Sequence, residues 1–139
     1  MHARSLAVIA RLLAAVTFVP IAACSDDDDG TDPTSVLVGS WTFTSLSGLG
    51  QDFIALGMDL ELELTSAETY TFTVTNDMVE FCDPGPDCTV TGDYTATAST
   101  ITLDPTDEPT TFTWAISGNT MTWTGSIGGT PATAVMTRN

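Results

Sequence analysis

The sequence predicts an all-β fold, an eight-stranded antiparallel barrel with up-and-down connections, and three observations lead to it. Threonine occurs 26 times, 23 of them from Thr42 onward, where it alternates with large apolar residues; a period of two marks strands with one buried face. Short polar connections separate the runs, Ala98-Ser99 and Ser117-Gly118-Asn119 among them, and these suit hairpins between sequential strands. A chain of 139 residues has room for one domain. Eight short strands, each with one apolar face, either pair as two sheets or close into a barrel, and closure removes the exposed edges.

The first residues read as an export signal. Met1 to Arg11 carries two arginines and Leu12 to Ala23 is apolar apart from Thr17, a positive stretch followed by a short apolar run. About a dozen apolar residues fall short of the roughly 20 that cross a bilayer as a helix. The run ends in Ile21-Ala22-Ala23-Cys24, which resembles a bacterial lipobox. That resemblance implies cleavage of residues 1–23 and diacylation of Cys24, with palmitate-type chains holding the protein to the membrane. With Ser25 in place of Asp, it also implies transfer to the outer membrane of a Gram-negative envelope. The same residues also allow an ordinary signal cut at an A-x-A-like site, leaving Cys24 a free thiol.

Residues 24–35 are expected to form an acidic, unfolded tether. Asp26 to Pro33 is charged and contains Gly and Pro, so it repels itself and has nothing apolar to bury. It fails as a calcium loop. With Gly30 at the sixth position, Ser25 and Val36 fall where Asp and Glu are required.

Residues 36–139 are expected to form the barrel, with strands over Val36 to Ser45, Met58 to Leu64, Thr69 to Phe81, Cys88 to Thr97, Thr100 to Asp104, Thr110 to Ile116, Thr120 to Gly125 and Ala132 to Arg138. The second strand shows the pattern most clearly. Met58, Leu60, Leu62 and Leu64 share one face, and Asp59, Glu61 and Glu63 share the other, so one register buries all four apolar side chains. Tyr70, Phe72 and Val74, then Phe112, Trp114 and Ile116, then Met121 and Trp123, repeat the alternation. Helix has little support.

Charge narrows the partners. Lys and Arg number three against 18 carboxylates, for a net charge of −15, and two of the three cations lie in the signal. Nucleic acid is excluded, because its phosphates are bound by clustered Lys and Arg, and the membrane is met through the lipid anchor alone. The single histidine, His2, also lies in the signal. The domain therefore has no imidazole for a nucleophile pair or a zinc site, and no cofactor or metal is expected.

After Cys24, two cysteines remain. Cys82 and Cys88 flank Asp83-Pro84-Gly85-Pro86-Asp87, and in an exported protein the expected state is a disulfide that pins this turn. Two free thiols, or a metal site with no second CxxC or His nearby, are the other readings.

Gly39-Ser40-Trp41 near the start of the first strand resembles the G-x-W of lipocalins. Gly92-Asp93-Tyr94 opening a hairpin, the stretch from Trp114 to Thr120 and a last strand ending Met136-Thr137-Arg138 extend the likeness across the mature domain. Together they resemble the short lipocalin-like domains of bacterial lipoproteins, and the resemblance implies a calycin-type barrel closed at one end by Trp41. It also implies that Arg138 packs over that Trp through a cation–π contact; a solvated terminal Arg is the alternative. The domain departs from the larger family in being shorter, and Thr91-Gly92-Asp93-Tyr94 is only a loose echo of T-D-Y.

Ser45 to Gly57, the longest loop, carries Leu46, Leu49, Phe53, Ile54 and Leu56, where lipocalins place a lid. The resemblance then implies a small hydrophobic ligand in a pocket lined by Phe53, Tyr70, Phe72, Trp114 and Trp123. The competing expectation is a barrel plugged by its own side chains, acting as an interaction or structural module of the envelope whose protein partner the sequence does not name. Catalysis by Asp59, Glu61 and Glu63 is not expected, since alternation with core leucines turns all three outward. No catalytic residue is assigned.

Overall fold

The computed structural model describes residues 32–78, 80–104 and 109–139. The expected signal peptide, Cys24 and the tether up to residue 31 lie outside the described residues. A single helical turn, α1 (Pro33–Leu37), precedes nine strands: β1 (Gly39–Gly48), β2 (Gln51–Asp52), β3 (Asp59–Leu64), β4 (Thr69–Thr75), β5 (Cys88–Ala96), β6 (Thr100–Asp104), β7 (Thr110–Ser117), β8 (Thr120–Ile127) and β9 (Thr130–Arg138). They form one antiparallel sheet in the order β2-β1-β3-β4-β5-β6-β7-β8-β9, and β1 also pairs with β9. Eight strands therefore close into a barrel, with β2 as a two-residue extra strand on β1.

Alternation places the core as expected. On β3, Leu60, Leu62 and Leu64 are buried and Asp59, Glu61 and Glu63 exposed. Their direct partners on β4 are Val74, Phe72 and Tyr70, so both apolar sets face inward together. Across the barrel Met121 faces Met136 and Trp123 faces Ala134. Strand alternation thus lines the inside with Leu, Met and aromatic side chains, and threonines predominate outside.

The barrel has two unlike ends. At the helical end, Leu37 of α1 is fully buried with Trp41, and the indole Nε1 of Trp41 donates to the carbonyl of Leu37 at 2.8 Å. Tyr94 is buried there too, its hydroxyl donating to the Thr65 carbonyl at 2.9 Å. The β7–β8 hairpin turns here, through Gly118 at a φ of 60°, a conformation that favours glycine. At the loop end lie residues 49–58, the β4–β5 connection and the β8–β9 turn. A disulfide joins Cys82 to Cys88 within that connection, with Cα atoms 5.5 Å apart.

Three expected strand boundaries are corrected. Val36 is in α1 and not in a strand, because the turn buries Leu37 under the barrel end. The first strand runs on to Gly48, past the expected Ser45. A bulge shifts its register against β9 between Phe43 and Ser45, and the extra residue turns Leu46 to the same side as Trp41 and Phe43. Half of the expected lid is therefore sheet, β1 folding back as β2 through Leu49 and Gly50 at positive φ. The third expected strand stops at Thr75 and not Phe81. Asn76 takes a φ of 57°, donates its amide to Asp87 at 2.9 Å and its side chain to the Gly57 carbonyl at 2.7 Å, which turns the chain away.

Candidate functional site

The barrel interior gathers most of the aromatic residues singled out in the sequence. On one wall Tyr70 meets Phe72 edge-on, ring centroids 5.4 Å apart, and Phe72 tilts against Phe43 at 6.1 Å. β8 lies four strands from β4 in either direction round the barrel, and there Phe112 of β7 stacks on Trp123 at 5.3 Å. Trp114 is the direct partner of Trp123 on β7. Tyr70, Phe112 and Trp123 are buried, whereas Phe72 and its partner Val90 on β5 face the same way and stay only half-buried. Phe43 and Phe112 were not among the expected lining residues, although each sits two positions from an inward neighbour on its own strand.

Phe53 lies apart from this set, at the loop end. Its amide donates to the Leu46 carbonyl at 2.9 Å, and Leu46, Phe53 and Ile54 pack half-buried against the core. Leu49 and Leu56, expected in the same lid, are exposed. The segment is organised by Asp52, which the sequence reading passed over. Its Oδ2 accepts from the Ser45 hydroxyl at 2.7 Å, and its Oδ1 accepts from the amides of Leu46 at 3.1 Å and Ile54 at 3.0 Å. These donors, the Ser45 hydroxyl foremost, hold the Asp52 carboxyl below its ordinary value. The available signal was an Asp followed within three residues by free amides, the pattern of an Asx turn.

The three tryptophans differ in one respect. Trp41 Nε1 donates to Leu37, and Trp114 Nε1 donates to the carbonyls of Thr97 at 3.1 Å and Thr100 at 3.2 Å. Trp123 Nε1 is buried with no hydrogen-bond partner.

Gly39, Trp41 and Arg138 come together at the helical end. Trp41 and Arg138 are register partners, and the guanidinium carbon lies 4.5 Å from the centre of the indole. The same guanidinium donates to the carbonyls of Val36 at 2.5 Å and Val38 at 3.4 Å. Gly39 takes a φ of 139° beneath Arg138.

Outside the barrel, a hollow of about 450 Å³ opens in the β4–β5 connection beside Asp77, Met78, Glu80, Cys82 and Pro86. Among the described residues no group of three or more His, Cys, Asp or Glu is placed to hold a metal ion. No helix of the described residues is long and apolar enough to cross a membrane.

No protein-family model matches the sequence, and a search of curated proteins finds no match. Among solved structures the chain is similar to fatty-acid-binding protein 1 of Echinococcus granulosus, with a TM-score of 0.43 and 14% identity over 75% of this chain and 98% of that one. It is also similar to the wild-type fluorescent protein UnaG, with a TM-score of 0.46 and 14% identity over 76% of this chain and 99% of that one.

Proposed function

We propose that this chain is a lipid-anchored barrel of the bacterial envelope, held by Cys24, that takes a small apolar molecule between its aromatic walls. The anchor rests on the apolar run ending at Ala22-Ala23-Cys24 and the acidic stretch after it. The observation that carries the binding role is the incomplete burial of Phe72 and Val90. Both face inward in mid-strand, where Leu62 and Tyr70 beside them are almost wholly buried, so the packing at this wall leaves apolar surface for a guest. The outer membrane of a Gram-negative cell is the location we propose.

The test uses the full chain carrying Cys24→Ser, which leaves the barrel sequence intact, titrated with the neutral dye N-phenyl-1-naphthylamine. One saturable site is expected, with tryptophan emission quenched as dye emission rises and the dye displaced by nonane. A linear, unsaturable response overturns the binding role.

A second reading is favoured by a different observation. Leu49, Leu56, Met78, Phe81 and Ile127 all lie at the loop end and are 78%, 51%, 50%, 52% and 48% exposed, and exposed apolar groups gathered at one place mark contact sites. In this reading the loop end, opposite the end where the chain enters through α1, contacts a protein of the envelope. Changing Leu49 and Phe81 to Ser should then release any co-purifying protein, and its retention removes this reading.

A further inference from the structure

We propose that the molecule held in the barrel is a neutral apolar compound with a carbonyl oxygen, a ketone, ester or amide, and that this oxygen accepts a hydrogen bond from Trp123 Nε1. The inference rests on the binding role above and names the chemistry of the guest.

Buried donors in folded proteins are nearly always paired, and each exception asks for an explanation. Here the same indole occurs three times. Trp41 and Trp114 each spend their N–H on a backbone carbonyl, and Trp123 alone is left without one. Its surroundings are apolar. Phe112 stacks on one side of the ring, and the register partner on β9 is Ala134, a side chain with no acceptor and little bulk. A ladder carbonyl can take a second donor, as that of Thr100 does from Trp114, but among the described residues no carbonyl is within hydrogen-bond reach of Trp123 Nε1. A guest with an oxygen at that position supplies it.

Charge decides between a carbonyl and a carboxylate. An anion taken into an apolar interior needs a cation beside it. After the signal, Arg138 is the only Lys or Arg of the chain. It is committed at the helical end to the Trp41 ring and to the carbonyls of Val36 and Val38. A net charge of −15 adds long-range repulsion of anions. A neutral acceptor meets the indole N–H without either penalty.

The experiment compares three nine-carbon probes, 2-nonanone, nonane and nonanoate, at about pH 8, where the acid is ionised. The protein is the full chain carrying Cys24→Ser, alone and with Trp123→Phe. In the unsubstituted barrel, 2-nonanone should move the Trp123 indole N–H proton resonance downfield and nonane should not, and nonanoate should bind more weakly than the ketone. Trp123→Phe should weaken 2-nonanone by about 3–10-fold more than it weakens nonane, the loss of one hydrogen bond. An indole resonance unmoved by saturating ketone, as when a trapped water already occupies the N–H, overturns the inference. So does tighter binding of nonanoate than of ketone, and in both cases the binding role stands. Failure of all three probes to bind overturns the inference and the binding role together. The resonance is read in the chain with Trp123 present, so the outcome does not depend on the Phe variant folding.

Discussion

Arg138 covers the indole of Trp41, the guanidinium carbon 4.5 Å from the ring centre, and the two are partners across the seam where β1 meets β9. The contact joins the end of the chain to the start of its first strand, and the same guanidinium reaches back to the carbonyls of Val36 and Val38. Arg138→Ala should lower stability by about 1–2 kcal/mol, from the lost cation–π contact and hydrogen bonds. Arg138→Lys should recover only part, because an ammonium cannot span both carbonyls as a planar fork does. Urea unfolding of the three proteins checks this, and equal midpoints for wild type and Arg138→Ala would contradict it.

Asp52 makes the loop end sensitive to acid. Its folded-state pKa lies below the ordinary 3.8, the Ser45 hydroxyl and the Leu46 amide being the main causes. The stability it contributes is complete above that ordinary value and is lost as pH falls through the lower folded value. Exchange protection of the Leu46 and Ile54 amides should therefore hold from neutral pH down to about pH 4 and fall below it. In Asp52→Asn the protection should be lower throughout and should not show that fall.

Two glycines face aromatic rings, and their replacement separates a flexible neighbour from a rigid one. A Cβ on Gly92 would lie 2.7 Å from Cε1 of Tyr70, a side chain, whereas a Cβ on Gly125 would lie 2.6 Å from Cδ1 of Phe112 and 2.9 Å from the backbone oxygen of Thr111. Gly125→Ala should destabilise by roughly 1–3 kcal/mol, the usual range for overpacking, and by more than Gly92→Ala. Thermal melts that reverse this order would show that the β7–β8 pair yields more readily than the Tyr70 ring.

The anchor has a direct test. The wild-type chain expressed in a Gram-negative host should partition into the detergent phase of Triton X-114 and take up labelled palmitate, and Cys24→Ser should move to the aqueous phase. Acyl chains bind membranes in proportion to buried methylene groups, and two chains suffice for stable attachment. Aqueous partition of the wild type would remove the anchor from the proposal.

The barrel was legible where alternation runs unbroken. β3 and β8 follow from their leucines, methionine and tryptophan against Glu and Thr, because a strand with one wet face has only one register that buries its apolar set. Legibility fails where tertiary contacts override the pattern. At Thr44 the bulge adds one residue, so the inward parity switches from Phe43 to Leu46, and the alternation breaks although the strand continues. At Asn76 the chain leaves the sheet because Asp87, eleven residues on, takes its amide. The disulfide was readable from Cys82 and Cys88 flanking a turn. The orphaned Trp123 was not, since Trp41, Trp114 and Trp123 are equivalent as letters and differ only in which carbonyl each indole reaches.

The β1–β9 seam has a consequence for how the molecule is made. Thr42 hydrogen-bonds to Asn139 through its side chain at 2.6 Å, and the register couples Trp41 to Arg138, so the first and last strands are neighbours. A polypeptide emerging amino end first must wait with β1 unpaired on that side until its final residues arrive. Contacts this distant in sequence slow folding, and they leave an open edge that neighbouring chains can join. Loss of only the last few residues would deprive the ring of its fastener, and the nascent molecule would be exposed to aggregation for as long as its synthesis lasts.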